Sequence, residues 1–235
     1  MPTRAELFDV YALHGRDGLR VRMNFVSSAD GAVTLDGRSG ALGGDTDRTL
    51  MQVLRTMADV IVVGAGTVRA EGYGGLRVDP DDVEWRRARG LDDQPGIAVV
   101  SGGLHLDPTA AFIIDAVRTP VIVTTDAAAA ADAGRFDSVA TVMACGEDDV
   151  DLAAMLDAFA RRGWTQVLCE GGPHLFGALL EADLVDEVCL TLAPRFVGGE
   201  TGRIVQGVAE SDRRFSLDSV VTDDEGFAFL RYVAP

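Results

Sequence analysis

At 235 residues, 47% hydrophobic and 25% charged, the chain is long enough to bury the core of one α/β domain. Its formal net charge of −16 excludes the clustered Lys and Arg that a nucleic-acid backbone or an anionic membrane surface requires. A phosphorylated small molecule remains compatible with it, because a few local Arg residues and backbone amides suffice to hold one.

In chain order, Met1–Glu6 lacks the apolar core of a secretion signal. Residues 20–28 alternate loosely and predict a strand that ends in Ser27-Ser28-Ala29-Asp30-Gly31. Asp45 or Thr46 can cap a helix whose Leu50, Val53, Leu54 and Met57 recur at i, i+3, i+4 and i+7. That helix feeds an apolar strand, Asp59–Val63, and a glycine turn, Gly64-Ala65-Gly66-Thr67. The stretch from Gly72 to Gln94 is charged and turn-rich, with Arg86, Arg87 and Arg89 expected on a solvated helix. Strands follow at Ile97–Ser101 and Pro120–Thr125, then an alanine-rich helix from Asp126 and a short strand within Val139–Cys145. Leu152, Met155, Leu156 and Phe159 mark another amphipathic helix, which leads into the strand Gln166–Cys169. A helix over 173–182 and two β-rich segments, Asp186–Leu192 and Glu225–Val233, close the chain.

Strand and helix alternate for most of the length, which calls for a mainly parallel sheet covered on both faces. The last strands lack an intervening helix, so the C-terminal edge is expected to be antiparallel. No repeat or low-complexity linker divides residues 1–235, and the expectation is a single domain. Cys145, Cys169 and Cys189 are an odd, widely spaced set in apolar runs, which fits buried reduced thiols in a cytoplasmic protein. There is no Cys-x-x-Cys or His-x-Glu pattern, so no metal site is expected.

The most informative feature is Glu170-Gly171-Gly172, where a buried strand gives way to a helix. Two glycines let the backbone approach a ligand closely, and a helix N-terminus presents unpaired N–H groups to an anion. Gly64-Ala65-Gly66-Thr67-Val68-Arg69 begins like the dinucleotide fingerprint G-x-G-x-x-G, but Arg69 replaces the third glycine. Two such turns in one chain suggest a nucleotide lying across strand ends. Glu170, placed after Val-Leu-Cys, is expected to be partly buried and therefore to need a partner. It is either paired with a nearby Arg or serves as a ligand anchor or proton-handling group. Asp30 and Ser39 lie in turn and loop sequences that also occur without chemistry. His14, His105 and His174 are scattered, and none sits in the pattern of a nucleophilic triad.

Taken in order and spacing, these pieces resemble the reductase of riboflavin biosynthesis. That enzyme occurs as the C-terminal half of the bacterial bifunctional deaminase–reductase (RibD type) and as a stand-alone protein in archaea and fungi. The matching elements are Asn24…Ser27-Ser28-Ala29-Asp30-Gly31, Gly37-x-Ser39, Arg55…Val63, Gly64-x-Gly66-Thr67-Val68, Cys169-Glu170-Gly171-Gly172, and Asp186-Glu187 through Ala193-Pro194-x-x-x-Gly198-Gly199.

The resemblance implies a dihydrofolate-reductase-like fold, NADPH as hydride donor and a homodimer. It also implies reduction of the ribosyl group of 5-amino-6-(5-phosphoribosylamino)uracil to the ribitylamino product. By position, Ser27, Gly64, Gly66, Thr67, Glu71, Ser101 and the run Gly171-Gly172-Pro173-His174-Leu175 would contact the cofactor. Glu170 and Asp30 would be catalytic, while Asn24 and Ser39 would meet the pyrimidine and its ribose. The family's Asp-Asp-Pro-x-Leu-x-x-Arg run is here Arg69-Ala70-Glu71-Gly72-Tyr73-Gly74-Gly75-Leu76-Arg77. The proline is lost, and Arg77 is left as the candidate for the substrate phosphate. That altered segment keeps two alternatives open: a reductase of another heterocycle such as dihydrofolate or a pterin, and a non-catalytic nucleotide-binding module.

Overall fold

The computed structural model describes residues 1–13 and 15–235. Its elements in chain order are α1 (Arg4–Val10), β1 (Arg20–Ser28), α2 (Asp45–Met57), β2 (Val60–Gly64), α3 (Ala65–Glu71) and α4 (Pro80–Arg87). β3 (Gly96–Val100), α5 (Ala111–Ile114), β4 (Val121–Thr124), α6 (Asp126–Ala131) and β5 (Thr141–Ala144) follow. The chain ends with α7 (Leu152–Arg161), β6 (Gln166–Cys169), α8 (Pro173–Glu181), β7 (Glu187–Ala193), β8 (Ser216–Thr222) and β9 (Ala228–Val233).

The strands form one 9-stranded sheet in the order β5-β4-β3-β2-β6-β1-β7-β9-β8. Every pairing from β5 to β7 is parallel, while β7–β9 and β9–β8 are antiparallel. This is the mixed sheet with an antiparallel C-terminal edge that the spacing of helices and strands implies. Alternation along the strands splits the core in two, one part on each face of the sheet. Ile61 and Val63 of β2 point to the side where α2 buries Leu50, Val53, Leu54 and Met57. Val60 and Val62 point to the other side, where α7 buries Met155, Leu156 and Phe159 and α8 buries Phe176 and Leu179. None of the helices among the described residues is long and apolar enough to cross a membrane. All three cysteines are free and buried. Burial pushes the Cys169 thiol up to about 12 and raises Cys145 and Cys189 as well.

The structure adds α1, α5 and β8 to the elements expected from the sequence, and it buries one arginine expected in solvent. β8 was not expected: Ser216–Thr222 is mostly exposed, and a bulge between Leu217 and Ser219 breaks its alternation, so no apolar face marks it. Arg86 is not on a solvated face, being only 1% exposed. It donates to the carbonyls of Thr56 (2.9 Å), Ala58 (2.6 Å) and Asp92 (2.6 Å), and so satisfies acceptors at and just past the C-terminus of α2. Burial lowers its pKa to about 10, still far above neutrality.

Replacing Arg86 with Ala leaves those carbonyls without a donor. Urea denaturation of Arg86→Ala is expected to show roughly 3 kcal/mol less stability than wild type; a loss below about 0.5 kcal/mol, the range of ordinary surface substitutions, excludes this role.

Candidate active site

β2 and β6 are parallel neighbours, with Val60 opposite Val167 and Val62 opposite Cys169, so their C-terminal turns must emerge side by side. They are joined directly: the Gly64 N–H donates to the Gly171 carbonyl at 2.7 Å, and the Glu170 N–H donates to the Val62 carbonyl at 2.9 Å. A Cβ on Gly64 would lie 3.5 Å from the Gly172 nitrogen, and one on Gly172 would lie 2.5 Å from the Thr67 hydroxyl oxygen. Gly171 has φ +92°, which other residues rarely adopt. The Gly171–Gly172 peptide is cis. The two glycine turns thus form one uninterrupted stretch of bare backbone, with the N-terminus of α8 beside it.

This surface borders a cleft of about 620 Å³, within the size range of small-molecule sites. Its base is Asn24, Phe25 and Val26 of β1, and its roof is the irregular segment around Val33, Gly37, Ser39 and Gly43. α2 supplies one wall through Asp47, Met51 and Arg55, which at i, i+4 and i+8 share a helix face. The Asn24 Oδ1 is buried without a hydrogen-bond partner, so this acceptor at the cleft is free for a ligand.

Arg55 and Glu170 close the inner end. Nε meets Oε1 and Nη2 meets Oε2, both at 2.6 Å, in a two-pronged pair whose side chains are 13% and 6% exposed. Nη2 also donates to the Tyr73 hydroxyl at 3.0 Å, and the guanidinium lies 5.8 Å from that ring's centre. Of the alternatives open for Glu170, the geometry gives the Arg pair. Both of its oxygens accept from that cation.

Asn24, Ser39, Gly64, Gly66, Thr67, Glu71, Glu170, Gly172, Pro173, His174 and Leu175 therefore meet in one cleft, with Gly171 directly beneath. Glu71 accepts the Ser39 N–H at 2.8 Å and ties the roof to α3. Asp30 and Ser27 are placed elsewhere, on a separate depression of about 390 Å³ lined also by Gly198, Gly199 and Arg203. The Asp30 carboxylate accepts from the Ser28 hydroxyl and from the N–H groups of Val197 (3.0 Å) and Gly198 (2.7 Å). Those bonds, with Ser28 foremost, hold its pKa down to about 2. Asp30, expected to be catalytic, thus lies outside the cleft and joins the turn after β1 to residues 197–198.

Ser101 directly follows β3, with its N–H bonded to the Val123 carbonyl, and does not line the cleft. Arg77 is exposed and lies outside it, so the cations at the cleft are Arg48 and Arg55. His105 is exposed away from the cleft, and His14 falls outside the described residues. Arg48, Asp47, Arg55 and Tyr73 were not picked out from the sequence. The signal is the spacing of Asp47, Met51 and Arg55 on one face of α2, two charged residues flanking a methionine beside the apolar stripe.

A family model described as the RibD C-terminal domain matches residues 20–229. The 2,5-diamino-6-ribosylamino-4(3H)-pyrimidinone 5′-phosphate reductase of Archaeoglobus fulgidus is 29% identical over 209 residues, covering 88% of this chain and 95% of that one. A pyrimidine reductase-like protein from Corynebacterium diphtheriae superposes with a TM-score of 0.86 at 24% identity, covering 97% of this chain and 98% of that one. Dihydrofolate reductase from Enterococcus faecalis superposes with a TM-score of 0.51 at 13% identity, over 91% and 95% of the two chains, so the fold is dihydrofolate-reductase-like.

Removing one member of a buried pair strands the other charge, which typically costs about 3–5 kcal/mol. Glu170→Gln and Arg55→Met are each expected to lose roughly 3 kcal/mol in urea denaturation, and the double variant less than the sum of the two. Strict additivity excludes the pairing.

Proposed function

The chain belongs to the RibD C-terminal domain family, and from that premise we propose that it is an NADPH-dependent pyrimidine reductase of riboflavin biosynthesis. Its reaction is reduction of the ribosyl group of 5-amino-6-(5-phosphoribosylamino)uracil to the ribitylamino product. One observation carries this reading: two glycine corners fused by the Gly64–Gly171 hydrogen bond, opening onto a cleft of about 620 Å³.

The corners fit a dinucleotide. A side chain at Gly172 would collide with Thr67, one at Gly64 would touch Gly172, and Gly66 is open, so backbone N–H groups and the Thr67 hydroxyl are left to meet a pyrophosphate. Gly64, Gly66, Thr67 and Gly171 through Leu175 would hold the cofactor, with Glu71 beside them. Ser101 directly follows the next strand along the same edge, in line for the adenosine 2′-phosphate that distinguishes NADPH from NADH. When bound, the reduced nicotinamide supplies a hydride to C1′ of the ring-opened sugar.

The chain's own residues orient that sugar and keep water out. Asn24 offers its unpartnered amide oxygen to a donor on the substrate, and Ser39 sits in the roof above it. The Arg55–Glu170 pair fixes the inner wall. Arg48, at the cleft and, among the described residues, paired with Asp45 one turn away, takes the role first given to Arg77, that of holding the substrate phosphate. The protein is further proposed to act as a homodimer: Phe196 is 85% exposed, and Leu217 and Val220 of edge strand β8 are 53% and 51% exposed, leaving apolar surface for a second copy.

Purified protein is expected to oxidise NADPH with the uracil substrate, or with its 2-amino counterpart named for the Archaeoglobus relative, and not with dihydrofolate. Turnover of dihydrofolate alone overturns the substrate assignment, and tight NADPH binding without turnover overturns the enzyme. Arg48→Ala should raise KM about 10- to 100-fold with kcat within about threefold, the pattern of a lost ground-state phosphate contact. In light scattering the wild type should have the mass of two chains and Phe196→Ser that of one; a monomeric wild type removes the dimer.

A further inference from the structure

Resting on the reductase reading, we infer that Asp47 is the proton donor of the reaction. The reduction consumes one proton along with the hydride. As the ring opens, the C1′–O4′ bond breaks and its electron pair leaves with O4′. The exocyclic nitrogen's lone pair forms the C=N bond, and O4′ must take up a proton. The nitrogen recovers its lone pair when C1′ is reduced, so no second proton is needed and the charge balances.

Three carboxyl groups line the cleft: Asp47, Glu71 and Glu170. Glu170 is locked to Arg55, and Glu71 accepts the Ser39 N–H. Among the described residues neither Glu71 nor Asp47 is paired with a cation, and Asp47 accepts no backbone N–H either. It lies in the first turn of α2, on the same helix face as Met51 and Arg55, about 12 Å along the axis from Arg55. Gly43 in the roof packs so tightly on it that a Cβ there would sit 2.5 Å from Oδ2. From β7 it is faced by Thr191, whose buried hydroxyl has no hydrogen-bond partner among the described residues.

The charged groups around it leave it unpaired. Arg48, the next residue, bonds to Asp45. Glu225, from the turn before β9, reaches Gly44 and adds negative charge. Phe227, just before β9, and Phe229 within it belong to the core on this side of the sheet. The Arg55–Glu170 pair, two turns along, carries no net charge. Burial raises the Asp47 pKa, against smaller opposing effects of Thr191 and Arg48. Asp47 thus keeps its proton to higher pH than an ordinary aspartic acid, gives it to O4′ as C1′–O4′ breaks, and is reloaded from water.

The sign of the pH effect follows. Activity should fall as pH rises through the Asp47 pKa, because the carboxylate has nothing to donate. Asp47→Asn is expected to lower kcat about 100-fold, to abolish that alkaline limb, and to leave NADPH affinity measured by fluorescence within about twofold. Asp47→Glu should recover part of the rate. Independently of turnover and of any variant's folding, carbon NMR of the free wild-type protein should show the Asp47 carboxyl titrating above the ordinary aspartate range. A wild-type rate and pH profile in Asp47→Asn, or an ordinary titration in the free protein, overturns the donor role while leaving the reductase standing. A wild type inactive on both pyrimidine substrates overturns the reductase reading, and the donor role with it.

Discussion

The cleft depends on one buried ion pair. Glu170 sits where β6 ends and the backbone turns through two glycines, a place with no room for an unpartnered charge. Arg55 reaches it from the last turns of α2, and the match of guanidinium to carboxylate fixes how that helix is rotated about its axis. Once Arg55 faces inward, Met51 and Asp47 must share its face, and Leu50, Val53, Leu54 and Met57 must turn to the core. Burying such a pair yields little net stability, because desolvation offsets most of the attraction. What the pair contributes is orientation, linking a helix face to a strand end across 115 residues of chain.

The three acidic groups that matter here differ by what surrounds each one. Asp30 is exposed and satisfied by a hydroxyl and backbone N–H groups, so it clamps loops. Glu170 is enclosed and satisfied by a cation, so it holds a wall. Asp47 is half-buried beneath Gly43 and faced by Thr191, with no ion pair among the described residues, so it is the one placed to hold a proton. Residue type is shared among them, and chemistry follows environment.

Much of the fold was legible because parallel strands buried on both faces, such as Val60–Val63 and Gln166–Cys169, are short apolar runs bounded by turns, and α2 and α7 carry clear helical spacing. The side-by-side glycine corners were legible for the same reason, since each closes such a run. What escaped was set by long-range contact. Arg86 looks like any surface arginine until the C-terminus of α2 arrives above it. Asp30 looks like a turn aspartate beside a catalytic motif until residues 197–198 fold onto it. Arg77 matched a displaced family position by sequence distance, yet the chain carries it away from the cleft. β8 has no buried face of its own and exists because β9 offers it an edge.

The cysteines have a practical consequence. Cys169 precedes Glu170 and is wholly enclosed, as is Cys189 on β7, and with a thiol near 12 almost no reactive thiolate forms at neutral pH. Alkylating reagents can reach these sulfurs only after the sheet around them opens. The rate at which Cys169 and Cys189 are labelled in the native protein therefore measures how often the strands around them come apart.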